Sequence, residues 1–128
     1  TTAHFRELLS FIEEIQFDKL GVFPYSPEQG TRAFTMKPRP RDTTVARRCE
    51  EIMALQRDIS ARKLAAKIGA TIEVIVDGPS DRPDFAMIAR TRIDAPEVDG
   101  KVYLRNDMNP GTIADVTVSG ASDHDLFA

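Results

Sequence analysis

The chain has 128 residues, of which 41% are hydrophobic and 29% charged, a balance typical of one globular domain or of a small domain plus part of another. No apolar run approaches the ~20 residues of a membrane span, and the N-terminal stretch lacks the continuous apolar core of a signal peptide. The single cysteine, Cys49, excludes an internal disulfide and fits a reducing compartment, so we expect a cytoplasmic protein.

The net charge of −3 is distributed unevenly along the chain. Residues 1–31 carry two basic and five acidic side chains, whereas residues 32–68 carry ten basic and four acidic ones. Residues 69–128 reverse the balance again, with five basic and eleven acidic side chains. Such asymmetry suggests that different segments meet different partners.

The N-terminal segment is predicted to form an amphipathic helix over residues 2–16, with Thr2 as its cap. Its apolar side chains recur at helical spacing: Phe5, Leu8, Leu9, Ile12 and Ile15. Leu20, Val22 and Phe23 then predict a short buried strand. A helix followed by a strand is the repeating unit of an α/β barrel, but a barrel needs many such units. Residues 1–35 are therefore predicted to be the end of a larger domain.

The middle of the chain is predicted to connect two domains. Residues 32–41 are basic and contain Pro38 and Pro40, which favours an extended connection. A long helix should follow up to Ile68, stopped by Gly69. Its apolar side is marked by seven residues: Val45, Cys49, Ile52, Met53, Ile59, Leu64 and Ile68.

From Thr71 onward the apolar period changes from helical to alternating. Five short strands are indicated by Ile72–Val74–Val76, by residues 85–93, by Val102 and Leu104, by residues 113–118 and by residues 124–127. So many short strands within residues 69–128 favour a small antiparallel β-barrel, since closure removes exposed strand edges.

The chain shows no complete active site on its own residues. A metal site needs several ligands within reach, but Cys49, His4 and His124 are far apart in the sequence. Cys49 lies on the apolar side of the predicted helix and is best interpreted as a small buried hydrophobe. We therefore predict no catalytic residue and no metal ligand.

Two stretches carry a family resemblance. FDKLGVFPYSPEQGT at residues 17–31 resembles GVF-x-YSPEEGT, which closes the catalytic barrel of RimO-type radical S-adenosylmethionine methylthiotransferases. RTRIDAPEVDGKVYL at residues 90–104 resembles the RTR-x-DAPEVDG-x-VY segment of their TRAM module. ALQRDIS at residues 54–60 and VSGASDHDLFA at residues 118–128 are similar to further parts of the same family. The chain departs from the pattern at Gln29, where Glu is usual, and at Arg32, where Pro is common.

The resemblance implies an α+β architecture in three parts. Residues 1–35 would be the C-terminal helix and strand of a radical S-adenosylmethionine α/β barrel, residues 36–68 a basic linker and connecting helix, and residues 69–128 an OB-like, five-stranded antiparallel TRAM barrel. The loop after the predicted strand would then form a rim of the parent's active site. Its candidate residues are Tyr25, Ser26, Glu28, Gly30 and Thr31. Without the resemblance, an ordinary turn capped by Thr31 explains this loop equally well.

Members of the family are implied to methylthiolate an aspartate of small-subunit ribosomal protein twelve, using S-adenosylmethionine and two 4Fe–4S clusters. One cysteine cannot supply the cluster ligands, so this stretch alone should bind no cofactor and should be inactive. The resemblance therefore identifies it as the C-terminal portion of a longer enzyme, whose remainder is its first expected partner.

The acidic module suggests a basic partner, and the substrate that the resemblance implies is a basic ribosomal protein. The candidate recruiting residues are Asp94, Glu97, Asp99, Arg90 and Arg92. A solvated acidic turn is the plainer explanation of the same loop.

Two other interpretations of the module stay open. The first is an RNA-binding TRAM module of a tRNA methylthiotransferase, favoured by the basic residues 32–48. Phosphate contacts call for a basic surface, however, and the stacking aromatics of the module are few: Phe85, Tyr103 and Phe127. The second is an adaptor with no parent enzyme. No membrane partner is expected.

Overall fold

The computed structural model describes residues 1–95 and 99–128, which fall into two compact units, Thr1–Ile59 and Ser60–Ala128. The helices are α1 (Thr2–Ile15), α2 (Arg32–Thr35) and α3 (Asp42–Ala65). The strands are β1 (Thr71–Pro79), β2 (Met87–Thr91), β3 (Val102–Leu104), β4 (Ile113–Thr117), β5 (Gly120–Ala121) and β6 (Leu126–Phe127). No helix in these ranges is both long and apolar enough to cross a bilayer.

Helix α1 is confirmed and begins at Thr2 as predicted, but its cap is a different residue. The hydroxyl of Thr1, and not that of Thr2, caps the helix by accepting a hydrogen bond from the backbone N–H of His4 at 3.2 Å. The helix ends at Gln16, whose left-handed backbone (φ 55°) lets its N–H donate to the carbonyl of Ile12. Ile12 is the one fully buried residue of α1.

The predicted strand at Leu20, Val22 and Phe23 is wrong, since these residues are extended but lie in no sheet. A strand needs a neighbour for its backbone groups, and the described residues of the first unit contain no strand to pair with. Leu20 and Val22 instead pack on a core of isoleucines, while Phe23 is 86% exposed. The helix–strand unit of an α/β barrel is therefore absent from the described part of this unit.

The basic connection is also more structured than predicted, because residues 32–35 form the single helical turn α2 within it. Helix α3 is confirmed but ends at Ala65, and a turn carries the chain to Gly69, which has a left-handed backbone (φ 86°).

The apolar side predicted for α3 is only partly correct. Ile52 and Ile59 are buried, but Met53 is 41% exposed. The buried face also includes Gln56, whose side-chain amide donates to the carbonyl of Phe17 at 2.9 Å. Nine side chains form the core of the first unit: Phe5, Leu9, Ile12, Phe17, Leu20, Val22, Ile52, Leu55 and Ile59.

The second unit holds a six-stranded sheet in the order β4-β1-β2-β3-β6-β5. Neighbouring strands are antiparallel except β3 and β6, which are parallel. The predicted closed, five-stranded antiparallel barrel is thus wrong in three respects: the sheet is open, mixed and six-stranded. Strands β5 and β6 have two residues each, which is too short for an alternating pattern to predict a strand. Alternation also does not show whether two strands pair in parallel or antiparallel.

The core of the sheet follows the predicted alternation closely. Val74 and Val76 of β1 point inward and are about 1% exposed, and β1 continues past a register shift between Val76 and Gly78. The buried cluster comprises Val74, Val76, Met87, Ala89, Val102, Leu104, Val118 and Leu126. Strands β2 and β3, which flank the acidic segment, are antiparallel neighbours as predicted.

Candidate functional site

The loop at residues 25–31 is held by a short network around Thr31. The Thr31 hydroxyl donates to the carbonyl of Glu28 at 2.8 Å and accepts from the backbone N–H of Phe34 at 3.2 Å, which makes Thr31 the cap of α2. Gly30 has a φ of +83°, a conformation that side chains rarely tolerate. Thr31 and Gly30 therefore shape the turn, as the plainer interpretation of this loop requires.

Arg39 joins the basic connection to the same loop, a contact that sequence reasoning missed. Its guanidinium carbon lies 5.7 Å from the ring centroids of both Tyr25 and Phe34, and the guanidinium also donates to the Phe34 carbonyl. Tyr25 is 54% exposed, and Ser26 and Glu28 are exposed as well. The loop is thus an accessible surface, and its place at the rim of an active site stays a prediction.

The acidic segment between β2 and β3 uses its carboxylates to build its own turns. The Asp94 carboxylate accepts from the backbone N–H of Thr91 at 3.1 Å and from the Thr91 hydroxyl at 2.6 Å. The Asp99 carboxylate accepts from the backbone N–H of Ala95 at 2.7 Å. Glu97 lies outside the described residues. Any recruiting role of Asp94 and Asp99 is therefore combined with a structural one.

The two arginines predicted beside this segment are paired with carboxylates of β1. The Arg90 Nε atom lies 3.0 Å from Oδ1 of Asp77, and an Arg92 Nη atom lies 3.0 Å from Oε1 of Glu73. Such exposed pairs contribute little stability, about 0–1 kcal/mol. They do balance the charges locally, so neither arginine adds a net positive surface. A contribution of either residue to partner binding stays a prediction.

A third ion pair joins Lys101 to Asp81 at 2.9 Å, beside the buried ring of Tyr103. The hydrogen bond from Lys101 lowers the pKa of Asp81, and the same contact raises the pKa of Lys101. Burial, followed by the contact with Asp81, raises the pKa of the Tyr103 hydroxyl above its ordinary value of 10.0.

Three aromatic rings meet at one end of the sheet, although they come from three separate elements. Phe85 precedes β2, Tyr103 lies in β3 and Phe127 lies in β6, and their ring centroids are 5.4–5.9 Å apart. Two arginines lie over these rings, and we call the five side chains the ring–arginine cluster: Phe85, Tyr103, Phe127, Arg82 and Arg105. The sequence contains each residue, but only the strand order β2-β3-β6 brings them together.

Metal-binding chemistry finds no support in the described ranges, which contain no group of three or more His, Cys, Asp or Glu residues that could hold an ion. Cys49 is half-buried and has no disulfide partner. The residues present therefore do not fit an iron–sulfur cluster.

Residues 68–128 match the family model of the TRAM domain. Almost the whole chain is also similar to curated proteins described as ribosomal protein uS12 methylthiotransferase RimO. The identity is 40% with the protein of Sorangium cellulosum (98% of this chain, 26% of the relative), 42% with that of Hydrogenovibrio crunogenus (100% and 28%) and 44% with that of Aquifex aeolicus (95% and 29%). The chain thus spans between a quarter and three-tenths of the length of these relatives.

Proposed function

We infer that this chain is the TRAM-containing part of a RimO-type methylthiotransferase, the family whose resemblance the comparisons confirm over nearly all of its length. The whole protein would then methylthiolate an aspartate of ribosomal protein uS12 in the cytoplasm. S-Adenosylmethionine and two 4Fe–4S clusters would supply the radical and sulfur chemistry. Their ligands would lie in the part of the enzyme outside this chain, because a single cysteine cannot hold a cluster.

The role we propose for residues 69–128 is to recruit the protein substrate. The observation that carries this proposal is the charge of residues 69–128, which have eleven acidic and five basic side chains. Three of those five basic residues are already paired with carboxylates: Arg90, Arg92 and Lys101. A surface with such an acidic excess attracts a basic protein and repels the phosphates of RNA. Asp94, Glu97 and Asp99 are the proposed contacts, with Arg90 and Arg92 beside them.

The role we propose for the loop at residues 25–31 is to face the active site of the longer enzyme. Support comes from the exposure of its polar side chains together with exposed apolar residues of the same compact unit. Phe23 is 86% exposed, and Leu8, Phe11 and Ile15 of α1 are each 43–50% exposed. Apolar side chains exposed in such number indicate a surface that another part of the protein covers. The division into residues 1–35, 36–68 and 69–128 remains our proposal for the domain boundaries.

RNA binding by the TRAM domain is the second candidate function, as in a tRNA methylthiotransferase. The basic residues 32–48 favour it, since they are rich in arginine and include the exposed Arg39 and Arg41. The two candidates differ in their response to salt and in the residues that carry binding.

The experiment is a titration of this chain against ribosomal protein uS12 and against a tRNA pool, each at two salt concentrations. The test variant is Asp94→Asn combined with Asp99→Asn. Asparagine keeps an acceptor oxygen for the backbone N–H groups of Thr91 and Ala95, so the turns should persist while two charges disappear. The matched control is Asp107→Asn combined with Asp115→Asn, which removes the same charge from exposed positions elsewhere on the sheet unit.

We expect the test variant to weaken uS12 binding about fivefold at low salt, and the control to weaken it about twofold or less. Equal effects of both variants would show that the acidic segment contributes only through its net charge and is not a specific contact. Tight tRNA binding with a steep salt dependence, and none to uS12, would contradict the recruiting role and favour the RNA-binding alternative.

A further inference from the structure

The ring–arginine cluster contains the two basic side chains of residues 69–128 that form no ion pair with another described residue. Residues 69–128 have five basic side chains, and Arg90, Arg92 and Lys101 are each paired with a carboxylate. The other two, Arg82 and Arg105, lie over the same ring, with guanidinium carbons 5.6 and 5.4 Å from the Phe85 centroid. Both are exposed. Among the five basic side chains of residues 69–128, the two that form no ion pair with another described residue therefore contact the same ring.

The rings position Arg82 particularly well. Its guanidinium carbon is 5.0 Å from the Tyr103 centroid, 5.1 Å from that of Phe127 and 5.6 Å from that of Phe85. Stacking on rings orients a guanidinium without using its N–H donors, which leave the group around its edge. Within residues 1–95 and 99–128, neither Arg82 nor Arg105 donates a side-chain hydrogen bond to a protein acceptor.

The nearest carboxylate in sequence is already engaged. Asp81 pairs with Lys101 at 2.9 Å, so that the lysine, and not the neighbouring arginine, neutralises it. This arrangement leaves Arg82 available to an anion from outside. A guanidinium fork binds a carboxylate through two parallel hydrogen bonds, which are stronger than neutral hydrogen bonds.

We propose that Arg82 and Arg105, supported by the ring–arginine cluster, form a second contact point for the protein substrate and receive a carboxylate side chain from it. This inference rests on the proposed recruiting function. It adds a positively charged contact to the acidic contacts proposed there. Acidic groups around Asp94 and Asp99 would attract the basic partner, while the two arginines would accept one of its acidic residues. A surface with both signs fixes the orientation of its partner, which a uniformly acidic surface cannot do.

A carboxylate fits the cluster better than RNA does. Arg82 and Arg105 both contact the ring of Phe85, so their positive charge is local, whereas a nucleic acid needs a track of positive charge along its backbone. Such a track would have to cross a unit with eleven acidic side chains.

The test measures binding of uS12 to the full chain carrying Arg82→Gln and Arg105→Gln, with the tRNA pool as a second ligand. The matched control carries Arg62→Gln and Lys67→Gln, which removes two positive charges from the same compact unit. Since uS12 is basic, general electrostatics predicts that removing positive charge from this chain strengthens binding. The proposed site predicts the opposite sign, a weakening of about tenfold. The control should leave the affinity unchanged or slightly tighter.

Two further measurements separate the possible outcomes. Arg82→Lys keeps the charge but loses the planar fork, and we expect it to weaken uS12 binding at least threefold. Unchanged or tighter binding by the double glutamine variant would overturn the inference while leaving the recruiting function in place. Loss of tRNA binding in that variant, with uS12 binding intact, would also overturn it by assigning the site to RNA. If the unmodified chain does not bind uS12, the recruiting function fails and this inference fails with it.

Discussion

Gly100 lies two residues before β3, where the backbone passes close to the segment that leads into β6. A Cβ atom built on Gly100 would lie 1.8 Å from the carbonyl oxygen of His124 and 3.0 Å from its carbonyl carbon. Ordinary contacts of a Cβ atom begin at 3.4 Å, so a methyl group at this position would have to move the two backbone segments apart by about 1.6 Å. Backbone cannot yield as the end of a flexible side chain does. We therefore expect Gly100→Ala to destabilise the sheet unit.

The size of the effect follows from the bonds that such a displacement would break. Lys101 donates its backbone N–H to the Asp125 carboxylate at 2.9 Å and accepts from the N–H of Leu126 at 3.0 Å. Losing these two bonds costs about 1 kcal/mol each, and residual crowding adds about 1–3 kcal/mol. We expect the free energy of unfolding to fall by about 3–5 kcal/mol and Tm to fall by about 10 °C or more.

The assay is denaturant unfolding followed by far-ultraviolet circular dichroism, with Gly78→Ala as the matched control. A Cβ atom on Gly78 meets nothing within 4 Å, and its φ is not in the left-handed region. That variant should be neutral or more stable by about 0.4–1 kcal/mol, through the unfolded state alone. A Gly100→Ala variant within about 0.5 kcal/mol of the parent would refute the close approach of these two segments.

Three other predictions concern packing and ionisation. Ile59→Ala should lower the free energy of unfolding of the first unit by about 2–5 kcal/mol in denaturant titrations, because Ile59 is 0% exposed, and a loss below about 1 kcal/mol would show that this core is loosely packed. In a Tyr25→Phe variant the tyrosinate absorbance reports Tyr103 alone. The midpoint of its rise should lie above pH 10.0, because burial raises the pKa of this hydroxyl. The stability due to the neutral hydroxyl should be present below that pH and be lost as the pH rises through the folded pKa; a midpoint at or below pH 10.0 would contradict burial of this ring. Lys101→Gln should reduce stability at neutral pH. The difference from the parent should shrink below pH 3.8, as the pH falls through the lowered pKa of Asp81 in the folded state and the carboxylate loses its charge; a difference independent of pH would show that the pair contributes nothing.

The regular core could be predicted from the sequence because each element repeats its pattern several times. Alternation predicted that Val74 and Val76 lie on the buried face of β1, and helical spacing predicted that Ile52 and Ile59 lie on the buried face of α3. Prediction failed where the outcome depended on a distant neighbour. Phe23 has the local character of a strand residue, yet a strand forms only when another strand offers its backbone.

For the candidate sites, too, the sequence predicted local features but not contacts between distant residues. The sequence located the two loops, but it could not show that Asp94 and Asp99 are engaged by Thr91 and Ala95 in their own turns. It also could not group Arg82 with Arg105, because both contact the ring of Phe85, and Arg105 reaches that ring only through the register of β2 against β3. Contacts of this kind follow from strand register and strand order, which no local pattern encodes.

The parallel pairing of β3 with β6 also affects how this unit can fold during translation. Residues 101 and 125, which are 24 positions apart, are joined beside this pairing, and β4 and β5 lie between them in the chain. While β6 is still inside the ribosomal exit tunnel, Val102 and Tyr103 lack the neighbour that buries one side of their strand. The nascent sheet would therefore present an apolar edge until its last strand emerges, and completing the sheet requires a long loop to close late. Only the pairing of β6 with β3 covers this edge.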